Sequence, residues 1–232
     1  MNNSIILNPA GYVRSDLKER YEAPRQGTMN ASSEAVIELE PGSNFEQALT
    51  GLDGFSHLWV VYLFHLNTTW KPMVTPPRNK GKKVGVFATR APHRPNNIGL
   101  SCVRYIKHEG LKIYIGGSDI LDGTPVLDIK PYLPYCDSFP DALTGWAGER
   151  VQVSYEVRAS SLAEEKAAAI REKEGQNLLN YARVQLSVNP DDVSRKRITK
   201  EDDGKYCLSY RKWRIYYEVI RGEKLVVMSD VK

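Results

Sequence analysis

The stretch GFSHLWVVYLFHLN, residues 54–67, contains the longest apolar run in this chain of 232 residues. The run begins at Leu58 and consists of valine, leucine and aromatic residues, which favour a buried β-strand. It is far shorter than the ~20 apolar residues that cross a bilayer, so no transmembrane helix is predicted. His65 follows the run, where the chain leaves the strand and binding residues are common. The stretch therefore predicts a central strand with a candidate binding residue at its end.

Further segments rich in valine, isoleucine, tyrosine and phenylalanine occur on both sides of this run, separated by glycine, proline, asparagine and aspartate. They predict strands at residues 5–14, 34–39, 57–64, 83–88, 99–108, 111–118, 126–131 and 151–157. The segment SNFEQALTGLDG, residues 43–54, predicts one short helix between the second and third of these strands. Short strands at this spacing favour a closed or nearly closed β-barrel.

The composition changes near Ala159. The segment SSLAEEKAAAIREKEG, residues 160–175, is dense in helix-forming residues, with a serine to begin a helix and a glycine to end it. Residues 176–188 repeat apolar side chains at helical spacing, and residues 205–231 predict a hairpin or small sheet with its turn at RGEK, 221–224. We therefore predict a mainly β protein, with an N-terminal β-barrel domain at residues 1–158 and a smaller C-terminal α+β domain at residues 159–232.

The overall composition is that of a globular protein, since 41% of the residues are apolar and 26% are charged. The N-terminus lacks the charged and long apolar segments of a secretion signal, so we expect a cytoplasmic protein. Three widely spaced cysteines without metal-ligand spacing predict neither a disulfide framework nor a zinc site. The net charge of +4 is a mild excess, spread over several separate basic segments.

The segment FATRAPHRPNNIGLS, residues 87–101, places a cationic loop between two predicted strands. Its two prolines restrict the backbone before them, so Arg90, His93 and Arg94 are expected to project from an ordered loop. Guanidinium groups bind phosphate and carboxylate through paired donors in one plane. A solvated connector is the alternative interpretation, although it does not account for the clustering of cations between the prolines.

Two other segments carry candidate ligand groups. The segment EAPRQGT, residues 22–28, holds an arginine and a glutamine beside a proline, and a surface turn is the alternative interpretation. The segment GSDILDGTPVLDIKPY, residues 117–132, places Asp119, Asp122 and Asp128 near strand ends, without the spacing of a calcium loop. A carboxylate there could accept from a ribose hydroxyl, an adenine amine or an ammonium group, whereas aspartate followed by glycine is also typical of a simple turn.

Taken in order, the segments GYVRS, PRQGT, GLDGFSHLWVVYLFH, VGVFATRAPHRPNNIGLS and SDILDGTPVLDIKPYLPYCDSFPDA resemble the TsaA-like, or TrmO-like, family of S-adenosylmethionine-dependent tRNA adenine methyltransferases. The resemblance implies a barrel that binds S-adenosyl-L-methionine, and no GxGxxG motif follows the first strand to predict a Rossmann-type site. It also implies a homodimer with the cofactor close to the subunit contact. The implied reaction is methylation of the exocyclic N6 of a threonylcarbamoyl-modified adenosine next to the anticodon of tRNA.

The same resemblance implies the cofactor contacts residue by residue, with no metal and no assigned catalytic base. These contacts are Pro24, Arg25, Gln26, His65, Leu66, Arg90, Leu100, Asp119, Ile120, Leu121 and Asp122. The C-terminal domain would recognise the substrate. There Tyr206, Tyr210 and Trp213 either stack on bases of the anticodon loop or belong to the core.

The sequence departs from the family pattern at two places. Asn97 stands where family members usually have proline, which changes the rigidity of the loop. Family members have a DPRPxY-like segment where this chain has NPDDVSRKR, residues 189–197. The arginine and the tyrosine of the family pattern have no counterparts here. This second departure leaves an alternative open: a protein that binds S-adenosylmethionine, or a methyltransferase, with a diverged substrate that is not tRNA.

Overall fold

The computed structural model describes residues 5–19, 34–76, 79, 81–147, 154–193, 197–201 and 204–232. Contacts between residues divide the chain into two compact units, Met1–Arg150 and Val151–Lys232. Among the described residues, none of the helices has both the length and the apolar character needed to cross a membrane. All three cysteines are free thiols.

The N-terminal unit is built around a closed barrel of six antiparallel strands. Its elements run in chain order β1 (Gly11–Ser15), β2 (Glu34–Leu39), α1 (Phe45–Ala48), β3 (His57–Leu63), β4 (Met73–Val74), β5 (Val84–Gly85), β6 (Ile98–Glu109), β7 (Lys112–Gly116), β8 (Pro125–Pro131) and α2 (Pro134–Asp137). The order around the barrel is β1-β2-β7-β6-β3-β8, and β1 closes the barrel by pairing with β8. The predicted β-barrel and the mainly β class are therefore confirmed.

The core of the barrel follows from the alternation of side chains along each strand. In β3, Leu58, Val60 and Tyr62 are buried, whereas Trp59 and Val61 between them lie on the outer face. The inward side chains of the six strands meet in one apolar cluster, which includes Val13, Ile37, Leu58, Val60, Val103, Ile113, Ile115 and Val126. A shift of one residue would turn a strand's apolar set to solvent, so this burial specifies the register.

Two of the predicted strands are only partly present. Strand β1 begins at Gly11, and the apolar side chains of Ile5 and Ile6 before it are largely exposed. The strand predicted at 83–88 is reduced to the two residues of β5, because the chain turns at 86–88 and buries Val86. An apolar run indicates burial, but a strand also needs a neighbour with which to form hydrogen bonds.

The C-terminal unit is a five-stranded sheet with two helices. Its elements run in chain order β9 (Glu156–Ala159), α3 (Ser161–Glu174), α4 (Leu178–Leu186), β10 (Ile198–Lys200), β11 (Tyr206–Tyr210), β12 (Trp213–Ile220) and β13 (Leu225–Val231). The order in the sheet is β10-β11-β12-β13-β9. Helix α3 begins after Ser160, whose side chain accepts from the N–H of Ala163, and ends at Gly175 with φ +67°.

The division between the units comes earlier in the chain than the change in composition. Strand β9 pairs in parallel with β13, so residues 156–159 belong to the C-terminal sheet and not to the barrel. Residues 151–153 of the strand predicted at 151–157 lie outside the described residues. The composition changes only at Ala159 because α3, and not the strand before it, carries the helix-forming residues.

Two of the three aromatic residues considered as stacking platforms belong to the core of the C-terminal unit. Tyr206 stacks on Tyr217 with ring centroids 5.6 Å apart, and Tyr210 lies against Tyr181 at 4.1 Å. Both are buried, so the core interpretation is correct for them. Trp213, at the start of β12, is partly exposed.

Candidate functional site

A pocket lies at the end of the barrel where β3 finishes and β8 begins. Two segments form most of it: residues 62–67, where the chain leaves β3, and the loop 117–124, which joins β7 to β8. The lining residues are Tyr62, Leu63, Phe64, His65, Leu66, Asn67, Pro92, Asp119, Ile120, Leu121 and Thr124. The pocket has a volume of about 150 Å³. Mostly apolar walls with a few fixed polar groups are typical of a small-molecule site.

The carboxylate of Asp119 is held in the pocket wall by a chain of hydroxyl groups. Ser101 Oγ donates to Asp119 Oδ1 over 2.6 Å, and Tyr62 OH lies 3.2 Å from Ser101 Oγ. Because the serine proton points to the carboxylate, Tyr62 is the donor to the serine oxygen. Burial raises the pKa of Tyr62 above its usual value, and the charge of Asp119 adds to the effect. The tyrosine therefore remains a neutral donor.

The loop 117–124 is anchored to the barrel on both sides of the pocket. Ile120 is buried in the barrel core, and its carbonyl oxygen accepts from Ser15 Oγ over 3.1 Å. Thr124 Oγ1 lies 3.3 Å from His65 Nδ1, which joins this loop to the opposite wall. The walls are thus connected to each other and to the strands, which is the arrangement expected of a preformed site.

The cationic loop between β5 and β6 is ordered by its own side chains as well as by its prolines. Arg94 Nη1 donates to the carbonyl oxygens of Thr89, over 2.8 Å, and Val86, over 3.3 Å. Its guanidinium carbon also lies 5.7 Å from the ring centroid of Phe87. The projection from the loop predicted for Arg94 is therefore wrong for its Nη1, which points to backbone carbonyl groups of its own loop.

Two asparagines join this loop to the pocket. Asn67 Nδ2 donates to the carbonyl oxygens of Thr69 and Pro92, over 2.8 and 3.0 Å, and Asn97 Nδ2 donates to the carbonyl oxygen of Asn67 over 2.7 Å. Asn97 has φ +44°, in the left-handed region. Proline cannot adopt this conformation because its ring locks φ at about −65°. Asparagine at this position therefore changes the backbone conformation of the loop, and not only its rigidity.

Replacing Asn97 by proline is expected to destabilise the barrel unit by more than about 1 kcal/mol, because the backbone conformation is incompatible with the ring. Asn97→Gly keeps the left-handed conformation and loses only the two side-chain hydrogen bonds to Asn67, so it is the matched control. Thermal unfolding of the two variants beside the unmodified protein measures the difference. Equal melting temperatures for the two variants would contradict the left-handed conformation at this position.

The pocket brings together one group of the predicted cofactor contacts. These residues are His65, Leu66, Asp119, Ile120 and Leu121. A second group, Pro24, Arg25 and Gln26, lies outside the described residues. The pocket thus collects predicted contacts from two segments that are more than fifty residues apart in the chain.

Three further predicted contacts are not among the residues that line the pocket. Asp122 accepts from the N–H of Ser15 over 3.0 Å and pairs with Lys18 Nζ at 2.7 Å. Partial burial disfavours its charge, but these partners hold the pKa of Asp122 below its usual value. Leu100 lies on the outer face of β6 and is 54% exposed. Arg90 is exposed in the cationic loop.

The sequence did not single out Tyr62, Ser101 or Thr124 as site residues. A signal for Ser101 was present, because it occupies an inward position of β6, two residues before Val103, where an apolar side chain is expected. Tyr62 and Thr124 gave no such signal, because tyrosine and threonine are ordinary strand residues. Across the described part of the chain, no three His, Cys, Asp or Glu side chains are grouped so that they could hold a metal ion.

Comparison with known proteins shows which family this barrel represents. Residues 12–138 match the family model described as the tRNA-methyltransferase O N-terminal domain. The chain belongs to the TrmO family. A relative in Escherichia coli, named tRNA (adenine(37)-N6)-methyltransferase, is 38% identical over 219 residues, which cover 91% of this chain and 90% of that protein. The TrmO-like resemblance found in the sequence is therefore confirmed.

Two further comparisons bear on how far the likeness to TrmO proteins extends. RcsF of Pseudomonas aeruginosa, whose name assigns it to the S-adenosylmethionine-dependent methyltransferases, is 46% identical over 144 residues. That match covers 61% of this chain and spans 62% of the relative's length. The crystal structure of TrmO from Pseudomonas aeruginosa superimposes with a TM-score of 0.71 at 32% identity, covering 99% of this chain and 98% of that one. The structural likeness therefore includes the C-terminal unit.

Proposed function

We propose that this TrmO-family chain is an S-adenosylmethionine-dependent methyltransferase that methylates N6 of adenosine 37, the nucleoside next to the anticodon of tRNA. The observation that carries the proposal is the pocket, which unites His65, Leu66 and the segment 119–121 from separate parts of the chain. The name of the Escherichia coli relative, which covers 91% of the chain, supports the reaction and the substrate. Threonylcarbamoyl-modified adenosine is the form of the substrate that we propose.

The residues of the pocket fit S-adenosylmethionine. Apolar side chains such as Leu66 and Leu121 suit an adenine ring, and the carboxylate of Asp119 suits a ribose hydroxyl or an ammonium group. A fixed carboxylate in apolar surroundings also favours a ligand that carries positive charge. When bound, the cofactor supplies a methyl group that its sulfonium has already made electrophilic. The pocket residues then bind and orient, which is the main requirement for transfer to a positioned amine.

We also propose a homodimer, which gives a place at the site to two of the remaining predicted contacts. Val61 of β3 and Leu100 of β6 are paired neighbours on the outer face of the barrel, as are Leu63 and Ile98. A partly exposed apolar strip of this kind suits contact with a second copy of the chain. Leu100 and Arg90 would then reach the cofactor bound by the other subunit. Action on tRNA agrees with a cytoplasmic location.

We propose that the C-terminal unit contacts the tRNA backbone through one face of β12. Arg214 and Tyr216 are two residues apart on this strand and so share a face. Arg214 exchanges backbone hydrogen bonds with Lys232, whose Nζ lies 5.1 Å from the ring centroid of Tyr216. Arg214 Nη1 donates to the backbone carbonyl oxygens of Arg211 and Trp213, over 3.3 and 2.9 Å, which leaves its other nitrogens for a ligand. In the described part of the chain, neither Arg214 nor Lys232 forms a salt bridge. Two such cations beside a ring suit phosphate contact near an exposed base.

Replacing Arg214 or Lys232 by alanine is expected to weaken tRNA binding and to lower the slope of log K against log salt by about 1 for each residue, since each would lose one phosphate contact. Affinity for S-adenosylmethionine should not change. Binding titrations over a range of salt concentrations measure both quantities. Arg221→Ala is the control, because Arg221 pairs with Asp191 at 2.6 Å. An unchanged salt slope in both test variants would mean that this face of β12 does not contact the tRNA backbone.

The proposed function is tested with purified protein, S-adenosylmethionine and tRNA from cells that lack the modification. Mass spectrometry of the tRNA nucleosides should show a methyl group added to adenosine 37, and calorimetry should show cofactor binding. Cofactor binding without methylation of any tRNA would favour the alternative, a methyltransferase or binding protein with another substrate. Absence of both would overturn the proposal.

A further inference from the structure

A buried serine beside the pocket donates a short hydrogen bond to the carboxylate of Asp119. Ser101 Oγ lies 2.6 Å from Asp119 Oδ1, and the serine is only 7% exposed. Its position in β6 faces the barrel interior, with Gly99 and Val103 as its inward neighbours. A hydroxyl buried among apolar side chains is unfavourable unless it forms hydrogen bonds. Packing alone therefore does not account for a serine at this position.

The hydroxyl of Tyr62 forms a second hydrogen bond with the same serine. The Tyr62 oxygen lies 3.2 Å from Ser101 Oγ, and the tyrosine side chain is buried against the barrel core. The ring reaches this position only because residue 99 is glycine: a β-carbon there would lie 2.4 Å from two of the ring carbons. Gly99 thus leaves room for the ring of Tyr62. The Tyr62 hydroxyl donates to Ser101, and Ser101 donates to the carboxylate of Asp119.

We propose that Ser101, supported by Tyr62, is a positioning residue that holds the carboxylate of Asp119 in one orientation for the cofactor. This inference rests on the proposed function, because it assumes that Asp119 binds S-adenosylmethionine. The serine donor occupies Oδ1 and fixes the rotation of the carboxylate. Its effect is on the binding of the cofactor and not on the transfer of the methyl group.

The test compares Ser101→Ala, Ser101→Thr and Tyr62→Phe. For Ser101→Ala, calorimetry should show a dissociation constant for S-adenosylmethionine raised by about tenfold, the effect expected from losing one hydrogen bond to a charged group. KM for the cofactor should rise in parallel, while kcat at saturating cofactor stays close to that of the unmodified protein. Ser101→Thr keeps the hydroxyl and should restore most of the affinity. Tyr62→Phe should give a smaller loss, because it removes only the second donor.

Ser56→Ala is the matched control, because Ser56 is an exposed serine whose hydroxyl contacts His57 and not the pocket. If the unmodified protein binds no S-adenosylmethionine, the proposed function fails. If it binds the cofactor and Ser101→Ala binds it equally well, the inference about Ser101 is overturned while the proposed function stands. A fall in kcat at unchanged affinity would also overturn the inference. If Ser101→Ala does not fold, an unchanged affinity of Tyr62→Phe for S-adenosylmethionine would overturn the inference.

Discussion

Replacing Asp119 by asparagine is expected to weaken binding of S-adenosylmethionine by about 10- to 100-fold, the range for losing a charged hydrogen-bond partner. Asparagine has the same shape, so the apolar walls of the pocket should keep their packing. Its amide carries no charge and puts an N–H₂ donor where one carboxylate oxygen stood. The ribose hydroxyls, the ammonium and the sulfonium of the cofactor all favour an acceptor or a negative charge at this point. Calorimetry with the purified protein measures the change directly.

The control for this substitution is Asp128→Asn. Asp128 is an exposed residue of β8 that pairs with Lys130 at 2.8 Å and does not line the pocket, so its removal should leave the affinity unchanged. Thermal unfolding of both variants separates loss of affinity from loss of structure. If the Asp119 variant folds and binds the cofactor as tightly as the unmodified protein, this pocket is not the cofactor site.

The barrel could be predicted from the sequence because its strands carry their own signal. Strand β2 has the predicted bounds, Glu34–Leu39, since an apolar residue occupies each inward position, at Ala35, Ile37 and Leu39. Strand β3 ends at Leu63, one residue earlier than predicted. Where the signal was only an apolar run, as at residues 5–10, the prediction failed, because hydrogen-bonded pairing depends on where the other strands lie.

The candidate site could be predicted only in part. His65, Leu66 and the segment 119–121 were identified through the resemblance to the TrmO-like family, and the structure brings them to one pocket. The contact between Ser101 and Asp119 could not be predicted, because it joins β6 to a loop that follows the next strand. The predicted projection of Arg94 was wrong in part, for a related reason. A cationic side chain suggests an anionic ligand, whereas its partners here are backbone carbonyl oxygens, which have no sequence signature.

Replacing Gly11 by alanine is expected to destabilise the barrel by about 3 kcal/mol, the upper part of the usual range for overpacking. Gly11 lies at the closure of the barrel, where it pairs with Leu39 of β2 and with Val126 of β8. An added β-carbon would stand 2.3 Å from the carbonyl oxygen of Glu38 and 2.7 Å from the α-carbon of Leu39. Both are backbone atoms, so no side-chain rotation can relieve the contact. Strand β1 must move away from β2.

Hydrogen exchange of the barrel amides is the suitable measurement, because it reports on this unit separately from the C-terminal unit. Exchange in β1, β2 and β8 should accelerate in Gly11→Ala, since these strands meet at Gly11. Gly85→Ala is the matched control: φ at Gly85 is −59°, and an added β-carbon there meets nothing within 4 Å. Equal protection in the two variants would mean that β1 and β2 do not approach each other closely at Gly11, and the closure of the barrel would have to be reassigned.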